Sequence, residues 1–103
     1  MSGFVLHPEA NTDIEEIWEH IAADNLDAAD RTLEEIYEAI QILAAFPYTG
    51  RARPDLTARS LRFQSLRDYV IAYAPDEKPV VIIAVLHGRR NPRVIAALLG
   101  GRT

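Results

Sequence analysis

Arginine is the residue type through which this chain can do chemistry. Arg51, Arg53, Arg59, Arg62, Arg67, Arg89 and Arg90 crowd the second half of the sequence. Planar, permanently charged guanidinium forks suit bidentate grips on phosphates and carboxylates. The set therefore implies a polyanion or an acidic protein surface as ligand; the plainer alternative is an arginine-decorated sheet edge. Other chemistries find little support. His7, His20 and His87 stand on different elements at wide spacing, so neither a metal nor a cofactor is expected. Cysteine is absent, which removes disulfides, thiol nucleophiles and thiolate metal sites together. Ser60 and Ser65 sit in no nucleophile signature, and no glycine-rich phosphate loop occurs, so no small-molecule substrate is expected. The many helix carboxylates read as a solvated face rather than acid–base machinery, and Trp18 as packing.

The elements that must position these arginines follow from period and punctuation. Phe4-Val5-Leu6 is a short strand closed by His7-Pro8, and Pro8 with Glu9 starts a helix. Ala10, Ile14, Ile17, Trp18, Ile21 and Ala22 keep helical spacing through Ala23. Asp27 is the expected N-cap of a second helix that runs to Pro47. So short a link predicts an antiparallel helical hairpin. Residues 51–59 read as a loop. The period then changes to two: Leu61, Phe63 and Ser65 alternate with Arg62 and Gln64, Tyr69 to Tyr73 form the next strand, and Val80 to Leu86 the last. That final unbroken apolar run predicts a central strand buried on both faces, its second face covered by the C-terminal segment or by a partner. A short helix from Arg93 to Leu99 can follow.

The 103 residues predict one domain, of α+β class and order β-α-α-β-β-β, with the helical hairpin on one face of a small antiparallel sheet. Its longest apolar run is seven residues where a membrane-spanning helix needs about 20, and the N-terminus has no basic, apolar leader. A cytoplasmic protein without a membrane partner is expected. The net charge of −4 conceals a division: residues 1–46 carry eleven acids and one base, and residues 47–103 carry ten bases and four acids. A segregated field lets an acidic chain still meet an anionic partner through its basic half.

Four segments carry a resemblance to a known family: His7-Pro8-Glu9-Ala10 with Asp13 to Ile17; Ala44-Ala45-Phe46-Pro47 running into Gly50-Arg51-Ala52-Arg53; Leu61-Arg62-Phe63 with Tyr69 to Tyr73; and Val85-Leu86-His87-Gly88-Arg89-Arg90. Together they resemble the RelE/ParE toxin superfamily of bacterial type II toxin–antitoxin systems, and its ParE branch more closely. The resemblance implies a cognate antitoxin as partner in a hetero-oligomer, and DNA gyrase as target. The alternatives are a RelE-like ribosome-dependent mRNA endonuclease and a non-toxic binding module of the same fold. Cleavage needs a proton acceptor and a proton donor beside its cations. The single lysine, Lys78, lies in a hairpin loop, no tyrosine, histidine or lysine follows His87, and arginine is a poor base. A non-catalytic inhibitor is therefore the expectation, with His87 keeping the nuclease alternative open. Arg89, Arg90 and Arg62 are the candidate target-binding residues, projecting from one region, and Gly88 is expected to turn the chain through its backbone freedom. Arg51, Arg53 and Arg62 are the candidate antitoxin-binding residues.

Overall fold

Proline at the first helical position and a histidine before it set the start of the first helix. Pro8 has a fixed φ and no N–H to satisfy, and the His7 ring accepts the Glu9 N–H at 3.1 Å. In the computed structural model, which describes residues 3–102, β1 (Phe4–Leu6) leads directly into this helix, α1 (Pro8–Ala22). The second helix, α2 (Leu26–Ala45), is capped by Asn25 and not by Asp27: the extended Asn25 accepts the Ala28 N–H at 3.0 Å, which leaves Asp27 inside the first turn, near the positive end of the dipole. The meander follows as β2 (Arg62–Leu66), β3 (Tyr69–Ala74) and β4 (Val80–His87), and α3 (Pro92–Gly100) closes the described chain.

The sheet order is β1-β4-β3-β2, and the sheet is mixed, not wholly antiparallel. β2, β3 and β4 pair antiparallel, whereas β1 lies parallel to β4, Phe4 facing Val80 and Leu6 facing Ile82. The reason is a parity. Chain direction reverses four times between β1 and β4, at α1–α2, α2–β2, β2–β3 and β3–β4, and an even number returns it to its starting sense. β1 stops after three residues. From there α1 takes over its place beside β4, the His7 N–H still bonding Ile82 O at 2.8 Å and Asp13 reaching the Val85 N–H at 3.0 Å.

Two apolar clusters sandwich the sheet. Ala10 and Ile14 of α1 with Ile36, Ile40 and Leu43 of α2 cover Ile71, Tyr73, Val80, Ile82 and Val85. On the other face Ile95 and Leu99 of α3, with Leu56 and Leu61, cover Phe63, Val70, Ala72, Ile83, Ala84 and Leu86. The C-terminal segment therefore supplies the second cover that a doubly buried β4 demands. A register shift beside Ala72 makes Ile83 an extra residue on β4, so Ile83 and Ala84 both join the α3 cluster.

Candidate functional site

The arginines separate into those that hold the fold and those that face outward. Arg62 belongs to the first kind. It pairs across the ladder with Tyr73. Its Nη1 donates to Gly50 O at 2.6 Å and to Tyr48 O at 3.3 Å, and its guanidinium lies 5.2 Å from the centre of the Tyr48 ring. Arg62 is therefore spent on the 46–51 loop and does not join Arg89 and Arg90 in one region, as the sequence led us to expect. Arg59 also serves the fold, donating to the carbonyls of Leu99 and Arg102 at the end of α3.

Arg53, Arg67, Arg89 and Arg90 come together instead. They line a cleft of about 280 Å³ floored by Leu56, Val70 and Ile95, with Gly88 and Asp68 on its wall. Three carboxylates temper its charge. Asp55 takes Arg53 in a bidentate grip at 2.9 and 2.7 Å, and Glu35 takes Arg67 in the same way. These contacts hold both carboxyls below the ordinary carboxylate range. Asp68 stands 3.9 Å from Arg89, a loose contact for a side chain that is 82% exposed. Arg90 is exposed at the end of the same turn, its N–H bonded to His87 O at 3.2 Å. Arg51 and Arg53 line an adjoining polar hollow of about 290 Å³ with Thr49, Gln64 and Ser65. The structure thus joins the residues expected for the target (Arg89, Arg90) to those expected for the antitoxin (Arg51, Arg53) along one side of the sheet.

Gly88 serves this turn by its size. No described glycine has a positive φ; the left-handed residue is Arg67 (φ 55°), at the tip of the β2–β3 hairpin. The Gly88 N–H bonds Asp68 O at 2.7 Å, and a Cβ there would lie 3.3 Å from that oxygen. A side chain would push the β4 end away from the hairpin and open the cleft. His87 packs edge-on to Tyr69 with ring centres 5.5 Å apart, and its Nδ1 faces the Arg89 N–H at 3.4 Å.

One charged pair escaped the sequence reading. Arg102 is 6% exposed and grips Asp13 with both terminal nitrogens, while its Nη1 also donates to Ile83 O at 3.1 Å. Asp13 accepts the Val85 N–H at 3.0 Å with the same carboxylate. The pair satisfies the β4 backbone where β1 has ended, standing in for a missing strand. A signal existed. Asp13 falls between Ala10 and Ile17 on the buried stripe of α1, where an acid needs a partner. Trp18 departs from expectation too. It is half-buried on the outer side of the hairpin, its indole N–H donating to Asp30 at 2.9 Å, beside Leu33 and Tyr37 in a groove of about 360 Å³.

Fold and site together define a small α+β binding domain whose open cleft is lined by guanidinium groups. Residues 4–92 match the family described as ParE toxin of type II toxin-antitoxin system, parDE, and the chain belongs to that family. It is 33% identical over 92 residues to Toxin ParE3 of Caulobacter vibrioides, a match covering 88% of each chain. A solved structure described as the chromosomal ParDE TA system from P. aeruginosa superposes with a TM-score of 0.70 over 84% of this chain and 96% of that one; at 18% identity this is a likeness of fold. Among the described residues no helix is long and apolar enough to cross a membrane.

Proposed function

We infer that this ParE-family toxin inhibits DNA gyrase by protein–protein contact, without catalysis of its own, and is neutralised by a cognate antitoxin. The observation that carries the reading is the Arg89–Arg90 turn. It is set at the end of the central strand, exposed, and anchored through Gly88 to the neighbouring hairpin. An anchored backbone that presents two exposed forks fits recognition of a preformed partner. Proton transfer has poor support at the same place. The neighbouring cations are arginines, which stay protonated; with the Nδ1 of His87 turned back on its own turn, only the other nitrogen of that ring is left for the nuclease reading. The antitoxin's acids would meet Arg51 and Arg53, whose hollow opens beside the target cleft, so that occupying one surface obstructs the other.

Two parallel assays test this. Purified chain is added to gyrase with relaxed plasmid, and separately to translating ribosomes with a defined message. Supercoiling should fall while the message stays intact, and Arg89→Ala/Arg90→Ala should lose the inhibition while keeping wild-type melting and antitoxin affinity. Codon-specific cuts abolished by His87→Ala would move the protein to the nuclease reading.

A further inference from the structure

At the end of the molecule away from the arginine cleft, three large apolar side chains stand in solvent within seven residues. Ile42 is 56% exposed, Phe46 67% and Tyr48 59%. Single exposed apolar residues need no explanation. A cluster of this size held in one conformation does. Ile42 lies in the last turn of α2, Phe46 is the residue that caps it, its N–H bonded to Ile42 O at 2.8 Å, and Tyr48 follows in the loop.

That loop is fixed from several sides. Tyr73, fully buried, accepts the Gly50 N–H at 2.9 Å and donates its hydroxyl to Pro47 O at 2.8 Å; burial pushes the phenol's pKa up and keeps the proton in place. Thr49 Oγ1 donates to Phe46 O at 2.8 Å. Arg62 ties Tyr48 O and Gly50 O together and lies across the Tyr48 ring. The Tyr48 hydroxyl donates to Asp76, whose second oxygen accepts from Ser60 at 2.9 Å. These bonds order a loop that buries neither Phe46 nor Tyr48. What they fix is the backbone that carries both rings and, through Asp76 and Arg62, the direction of the Tyr48 ring. Preorganised aromatic anchors of this sort lower the entropy cost of association.

We propose that Ile42, Phe46 and Tyr48 form a second protein-binding surface, a preformed knob that enters an apolar pocket with a cationic rim on a folded partner. The naming of that partner as the toxin's target rests on the reading above. Shape selects a folded partner, since projecting rings need a concavity, and the antitoxin's acids are placed above against Arg51 and Arg53, away from this surface. Charge selects its rim. Glu38 and Glu34 precede Ile42 on the same helix face by one and two turns. Asp76 and Glu77 are exposed in the β3–β4 turn, against one exposed base, Lys78. Arg62 is turned inward, and Arg51 lines the hollow on the other face with Phe63 and Val70. Two-fold pairing of copies would set these acids against their own kind, which disfavours a second copy. Such a rim matches a protein that handles nucleic acid. The surface is also separate from the Arg89–Arg90 turn. The start of β4 adjoins the end of α2 through Pro47, Pro79 and Val80, and the eight-residue strand puts its far end roughly 23 Å away.

The test is an Ile42→Ser/Phe46→Ser double variant, with Phe46→Arg as a second variant that keeps the helix surface polar and sets a cation against the cationic rim. Both should melt like wild type and bind antitoxin unchanged. Both should fail to arrest growth on induction, and their Kd for purified gyrase should rise roughly thirtyfold or more, the loss typical of an anchor residue. If wild type arrests growth without binding gyrase and the variants do not arrest it, the gyrase reading falls and the surface stands. A folded variant that is fully toxic overturns the proposal. So does an equal loss of antitoxin affinity, which gives the surface to the antitoxin, or a wild-type dimer that becomes monomeric in the variants. A wild type that neither arrests growth nor binds gyrase overturns both readings.

Discussion

Replacing Arg102 with methionine should destabilise the chain more than any other single charged-to-apolar change. The substitution keeps most of the side-chain volume and removes three things: both hydrogen bonds to Asp13 and the one to Ile83 O. Asp13, whose side chain is 11% exposed, then keeps only the Val85 N–H as partner beside the core. Breaking a buried pair from one side costs about 3–5 kcal/mol, a large share of the ~5–15 kcal/mol expected for a domain of this size. With an unfolding entropy of about 2.1 cal/mol/K per residue, the melting temperature should fall by roughly 15–25 °C. Urea titration of wild type, Asp13→Leu, Arg102→Met and the double variant closes a mutant cycle. The double variant should cost less than the two single variants added together, by about 2 kcal/mol. It should not return to wild type, because Val85 N–H and Ile83 O still lose their partners, at about 1–3 kcal/mol each. A cost below about 1 kcal/mol for Arg102→Met, or strict additivity in the cycle, would refute the claim that this pair completes the β4 edge.

Gly50→Ala should lower the urea midpoint by the equivalent of about 1–3 kcal/mol, since its Cβ would lie 2.6 Å from the Tyr73 hydroxyl and 2.8 Å from Phe63 O; an unchanged midpoint would show that the loop yields freely. Acid should weaken the fold through Glu35, Asp55 and Asp76, all held below their ordinary values, respectively by Arg67, by Arg53 and by the Tyr48 and Ser60 hydroxyls. A depressed carboxyl stabilises the native state above its unfolded pKa and loses that contribution as pH falls through the folded one. Melting temperature should therefore drop from about pH 4 downward, and a Glu35→Gln/Asp76→Asn variant should show a shallower drop. Arg51→Ala/Arg53→Ala should associate with antitoxin more slowly and with a weaker salt dependence; identical rates across a salt series would remove these two arginines from that interface.

The helices, the meander and the doubly buried β4 were legible because their signals are local: a 3.6 or 2.0 period, a proline, a short link. What was missed depended on contacts far apart in the chain. Asp27 was a sound cap by type, but Asn25 had the extended backbone that capping requires. Asp13 lay on the apolar stripe, yet its partner comes 89 residues later. Arg62 looked like its exposed neighbours until Gly50 O and Tyr48 O came within reach. Of the site, Arg89 and Arg90 were visible as a pair after a hydrophobic strand. The membership of Arg53 and Arg67 in their cleft required the register of the β2–β3 hairpin and its left-handed tip.

The borders of the sheet have a consequence for life at high concentration. β1 offers only three residues on its outer side. Beyond them β4 is roofed by α1, with the Asp13–Arg102 pair on its backbone. At the opposite border Arg51 exchanges two backbone bonds with Phe63, at 3.0 and 2.8 Å, and covers β2 near its start. Among the described residues no long flat ladder is left on which another extended chain could start to stack. The chain can therefore stand at high concentration without offering a template on which fibril growth could start.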